Sequence, residues 1–129
     1  MSSKIDTNLL RASVRMVHCM QKERGSSCAY YADENSKVFE LAMIDARKKT
    51  DIAAGLIPHR DLPRLLQKIR SFLEENKKKK EDSADSTVLH RLFVSFNTLI
   101  SSVIHECILQ PLGRHHKTVR ERKTDEKFI

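Results

Sequence analysis

Apolar residues along this chain recur mainly at intervals of three and four, the period of a helix with one buried face. Leu10, Val14, Val17, Met20 and Arg24 mark the first stripe, which continues through Cys28 and Tyr31. Asp6 and Thr7 are suited to N-capping, so the pattern predicts a first helix from Asp6 or Thr7 to about Ala32. Gly25 interrupts it at a cost of up to ~1 kcal/mol relative to Ala. The run Gly25-Ser26-Ser27-Cys28-Ala29 is small throughout, which lets a neighbouring helix or a ligand approach the backbone closely.

Ser36 is the next cap, with Glu40 one position too late for a full capping box. The second helix then carries a broad apolar surface from Val38, Phe39, Leu41, Ala42, Met43, Ile44 and Ala46, extended by Ile52, Ala53 and Ala54. Gly55 and Pro58 stop it. A third helix starts near Asp61, with Pro63 at a tolerated early position, and shows a clear stripe at Leu62, Leu65, Leu66, Ile69, Phe72 and Leu73. It fades into a charged linker over Lys77–Ser83, with Ser83, Asp85 or Ser86 as the cap of the next helix. That fourth helix, from about Thr87 to Leu109, is the most apolar and is predicted to be central; Pro111 and Gly113 end it.

Four helices with short connections predict an all-α, up-down four-helix bundle spanning residues 1–110. Residues 111–129 form a basic tail or linker, flexible in this reading because Arg114–Ile129 is rich in Arg, His and Lys and poor in apolar residues. Composition agrees. Only three Gly and three Pro punctuate the 129 residues, too few for a hairpin-rich sheet. With 5% aromatic residues and no Trp, the core must be largely aliphatic.

The net charge of +7 suits an anionic partner, although most basic residues are interspersed with acids, as on an ordinary soluble surface. Cys19, Cys28 and Cys107 are odd in number and match no zinc spacing, which points to reduced thiols. The N-terminus lacks a signal-peptide core, and no stretch is read as a membrane span of ~20 apolar residues. The expected location is cytoplasmic.

Two arginines stand out. Arg24 lies on the apolar stripe of the first helix, and Arg47 shares a side of the second with Met43 and Ile44. Inward arginines need counter-charges, and Glu23, Glu40 or Asp51 can supply them structurally. The functional alternative is an anion pocket, because guanidinium forks match planar oxyanions.

At these residues the sequence resembles a known family. Met20-Gln21-Lys22-Glu23-Arg24-Gly25-Ser26-Ser27 is similar to the Arg-Glu-Arg-Gly segment of nitrate- and nitrite-sensing (NIT) domains, with Lys22 in place of the first Arg. Arg47-Lys48-Lys49-Thr50-Asp51 resembles the family's Arg-x-x-Thr-Asp element. The resemblance covers roughly residues 8 to 109. It implies a helical sensor in which arginines hold nitrate or nitrite between helices and a helix shift reaches an output domain such as a kinase. Carried over, Arg24, Gly25, Arg47 and Asp51 become the ligand-binding residues. The chain departs from the family in having room for one bundle rather than two. A homodimer is compatible with the same reading.

Two alternatives stand beside the sensor. One is an interaction module without ligand, docking a protein through the small-residue face of the first helix. The other rests on His18 and Lys22, one turn apart before Gly25-Ser26-Ser27, which is similar to the His-x-x-Lys-Gly-Ser-Ser segment of histidine phosphotransfer proteins, though with altered spacing. His90, His105, His115 and His116 do not assemble a metal site by spacing, and no cofactor is implied. No nucleophile elbow or Gly-rich phosphate loop suggests an enzyme. The basic tail lacks interleaved aromatics, so nucleic acid is not the expected partner.

Overall fold

The computed structural model describes residues 6–79 and 85–113. They form α1 (Thr7–Ala32), α2 (Lys37–Ala54), α3 (Leu62–Lys79) and α4 (Ser86–Val103), the last continuing through a π-helical turn (Ile104–Leu109) to residue 113. There is no strand among the described residues, and the architecture is an all-α four-helix bundle. The basic tail from Arg114 onward, and residues 80–84 of the charged linker, lie outside the described residues.

Helix starts agree with the predicted caps. The Asp6 carboxylate accepts from the Asn8 and Leu9 amides at 3.0 and 3.1 Å, the Ser36 hydroxyl from Phe39 at 3.2 Å, and the Asp85 carboxylate from Thr87 at 2.8 Å. Each satisfies amides that lack an intrahelical acceptor. Gly55 ends α2 in right-handed backbone, so no left-handed residue is needed there.

The end of α4 differs from the sequence expectation, because helix persists through Pro111 to Gly113. In an α-helical register the proline ring would press on the Cys107 carbonyl. The π turn widens the register instead, and the Gln110 amide bonds to the His105 carbonyl five residues back. The stretch Ser86–Gly113 is also long and apolar enough, by length and composition, to cross a membrane, which corrects the reading that no stretch is. In the bundle its apolarity goes into packing: Leu92, Phe96, Leu99, Ile100 and Val103 are all buried.

Buried positions fall at alternating three- and four-residue steps, the knobs-into-holes spacing of helix bundles. On α1 they are Ser13, Met16, Met20, Glu23, Ser27, Tyr30 and Tyr31. This stripe is rotated from the one read in the sequence: Val14 is exposed, while Leu10, Val17 and Cys28 are half-buried. Of the polar members, Ser13 is accommodated locally, its hydroxyl donating to the Leu9 carbonyl at 2.8 Å. On α2 only Met43, Ala46, Thr50 and Ala53 are buried, so most of its broad apolar surface faces outward. On α3, Leu62, Leu66, Ile69 and Leu73 are buried, as expected.

Helix α1 packs against both α2 and α4, and α3 closes on α4 with lighter contact to α1 and α2. Gly25 takes no part in this packing: a Cβ there would meet no atom within 4 Å. The expected close approach to its backbone is absent, and Ser27, two residues on, is the small residue that is buried. Gly25→Ala should therefore stabilise the bundle by up to ~1 kcal/mol through helix propensity alone. Thermal melts should show a rise of about 3–5 °C; a fall would mean the position is packed.

Candidate functional site

Glu23 occupies a core position of α1, four residues before Ser27 and three after Met20, and its side chain has no exposure. A carboxylate there must be paired or be severely penalised. Arg70 of α3 supplies the partner. Its Nε donates to Glu23 Oε2 and its Nη2 to Glu23 Oε1, both at 2.9 Å, a bidentate fork. Its Nη1 donates to Asp51 Oδ1 at 2.8 Å, and its Nη2 also approaches the Arg47 carbonyl at 3.4 Å. Burial alone would lower the Arg70 pKa, but the hydrogen bonds and charges of Glu23 and Asp51 more than reverse this and raise it.

The two motif elements thus meet at Arg70. Glu23 of Glu-Arg-Gly and Asp51 of Arg-x-x-Thr-Asp are both held by this one guanidinium. Thr50, also buried, ties α2 to α1: its hydroxyl donates to the Ala46 carbonyl at 2.8 Å and lies 3.3 Å from the Cys19 carbonyl.

Arg47 borders the same node. Its Nη2 is 3.9 Å from Glu74 Oε2, too long for a hydrogen bond, and its Nε and Nη2 have no hydrogen-bond partner. Burial lowers its pKa, with Glu23 and Glu74 opposing the shift. A shallow cleft of about 400 Å3 opens here, where Arg47, Arg70 and Lys78 are matched by Asp51, Glu74 and Glu75.

Arg24 and Gly25 lie elsewhere. The Arg24 guanidinium donates to the Asn97 side-chain oxygen on α4 and sits 4.6 Å over the Phe93 ring centroid. Of the four residues read as ligand-binding, only Arg47 and Asp51 are brought together at the node, and Arg24 is spent on α4.

Gly25 instead lines a larger groove of about 1060 Å3 between α1 and α2. Leu10, Val14, Ala42 and Ala46 give it an apolar lining, and Arg11, Arg15, His18 and Lys22 come from α1. His18 and Lys22 are both exposed there, one turn apart.

Arg70 went unnoticed in the sequence, although a signal was present: it stands four residues after Leu66 and three before Leu73, on the buried stripe of α3. His59 was also missed. It is buried in the α2–α3 connection, with Nε2 2.9 Å from the Ser102 hydroxyl and 3.3 Å from Glu106 Oε2. No cluster of His, Cys, Asp and Glu among the described residues has the arrangement of a metal site. Comparison with protein-family models, curated proteins and solved structures yields no match.

The node generates a stability test. Arg70→Met leaves Glu23 buried without a counter-charge and should cost about 3–5 kcal/mol in urea unfolding. The double variant Glu23→Leu/Arg70→Met removes both charges and should recover most of that loss. Asp51→Ala, at an exposed carboxylate, should cost under about 1 kcal/mol. Equal costs for all three variants would show that the fork does not carry the energy assigned to it.

Proposed function

We propose that this bundle is a non-enzymatic regulatory module that works by docking a protein partner in the groove between α1 and α2. The observation that carries the reading is that this groove combines an apolar lining with a free basic edge, whereas the arginine node spends its charge internally. The Arg70 donors are taken by Glu23 and Asp51, and Arg24 is taken by Asn97. An anion clamp made of Arg24 and Arg47 therefore has no common centre, while the α1 face holding Gly25 and Ser26 borders open space suited to a partner. A partner seated there would bear on α1 and α2 directly, and through α1 on α4.

A second reading, a small-oxyanion sensor of the NIT type signalling to a kinase or other output domain, is favoured by one observation: Arg47 keeps two buried donors without hydrogen-bond partners beside a cleft. Its guanidinium suits nitrate or nitrite. The surrounding Glu74 and Asp51 oppose a bound anion, so this reading stands second.

The docking reading is tested with a photo-crosslinking amino acid placed in cells at Ala42, in the groove, and at Gln67, on α3. Ala42 should give a discrete adduct with one protein, identified by mass spectrometry and reproduced with that protein purified; Gln67 should not. Identical adducts from both positions, or none from Ala42, would refute it. The sensor reading is tested by calorimetric titration with nitrate and nitrite. It expects heat at millimolar ligand that is lost in Arg47→Ala. No heat and no change in melting temperature would end it.

A further inference from the structure

The α1–α2 groove has two unlike edges. On α1, Arg11, Arg15, His18 and Lys22 succeed one another at steps of four, three and four, a single strip about 17 Å long. All four are exposed. Among the described residues none of them takes part in an ion pair. The one acid lining the groove, Asp45, is already paired with Lys49 at 3.0 Å.

The α2 edge lines the groove with Ala42, Ala46 and the mutually paired Asp45 and Lys49. Val38, Ala42, Asp45, Lys49 and Ile52 share one strip at steps of four, three, four and three, so the strip ends in a large apolar residue on either side of the groove. Val38 and Ile52 are 73% and 70% exposed, which leaves those apolar side chains in water. Between the edges, Gly25, Ser26, Ala42 and Ala46 keep the floor low. The contact of the Thr50 hydroxyl with the Cys19 carbonyl lays the two strips side by side.

From this we infer that the groove takes an acidic amphipathic helix of a protein partner, its apolar face against the α2 edge and its carboxylates against the α1 strip. The inference rests on the docking reading and names its partner class. The low floor admits a helix backbone, and the basic strip is about three turns long, matching acids spaced at three and four. Charge also argues against a second copy of this chain, since two chains at +7 repel. The groove is lined by no Phe, Tyr or Trp on which a base could stack.

The probe is a synthetic helical peptide of about three heptads, with Leu on one face and Glu along the flanking strip. A Lys-for-Glu version and a sequence-scrambled version serve as controls. Binding to the full chain is read by fluorescence anisotropy of the labelled peptide. The acidic peptide should bind saturably and the other two on the order of tenfold more weakly or worse. Arg15→Glu/Lys22→Glu should weaken it on the order of tenfold, and added salt should erode the difference between that variant and the parent. Val38→Ser/Ile52→Ser should weaken it with salt dependence unchanged. Lys68→Glu, on α3, should leave it within about twofold. All these positions are exposed, and circular dichroism checks that each variant folds.

Equal binding of the acidic and scrambled peptides, or indifference to both groove variants, would overturn the proposal. So would phosphatidylserine vesicles that bind the parent chain, lose binding in Arg15→Glu/Lys22→Glu and displace the peptide, which would assign the strip to a lipid surface. Self-association in sedimentation that the same variant abolishes would assign it to a second copy. If the peptide fails while the Ala42 adduct persists, the partner class is wrong and the docking reading stands. If that adduct is also absent, docking in this groove is wrong as well.

Discussion

A carboxylate with no access to water sits in the second half of α1, and the bundle is arranged so that one guanidinium can reach it. Glu23 cannot be left alone in an aliphatic core, so α3 must approach α1 at the height and rotation that put Arg70 in bidentate contact. The same guanidinium takes Asp51 and the Arg47 carbonyl from α2. Helices α2 and α3 otherwise meet lightly, and the node adds polar contacts between them. Aliphatic side chains tolerate small slips between helices; a paired fork does not.

That constraint explains which parts of the structure were legible in the sequence. Helix starts depended on local chemistry, and Asp6, Ser36 and Asp85 cap as their positions imply. The α3 and α4 faces were legible because their large apolar residues fall on one side. The α1 face was not. Its buried stripe includes Ser13, Glu23 and Ser27, while Val14 is left outside, so counting apolar residues finds a face rotated from the one that packs. Glu23 is a core residue only through a partner on another helix, and no local pattern announces that partner. Arg70 carried the same stripe signal as Arg24, but the acid it faces, Glu23, lies on another helix and nothing near it in sequence points there.

The candidate site divides in the same way. Reading Arg24 and Arg47 as facing a common centre assumed that α1 and α2 turn those side chains toward each other. Arg24 is instead turned to α4, where the Phe93 ring and Asn97 hold it. The groove emerged only in three dimensions. Its basic edge falls within residues 7–22, a stretch with no Asp or Glu, so the charge was visible in the sequence while the groove it borders was not. The outward apolar surface of α2 was visible in the sequence, but its strip along the groove depends on how α2 lies against α1.

Lys22, Glu23 and Arg24 are consecutive and serve three different neighbours: Lys22 borders the groove, Glu23 binds α3 and Arg24 meets α4. Successive residues of a helix point about 100° apart, so three in a row can sample most of its circumference. A short polar sequence at such a junction is difficult to alter piecemeal, because each change disturbs a different contact.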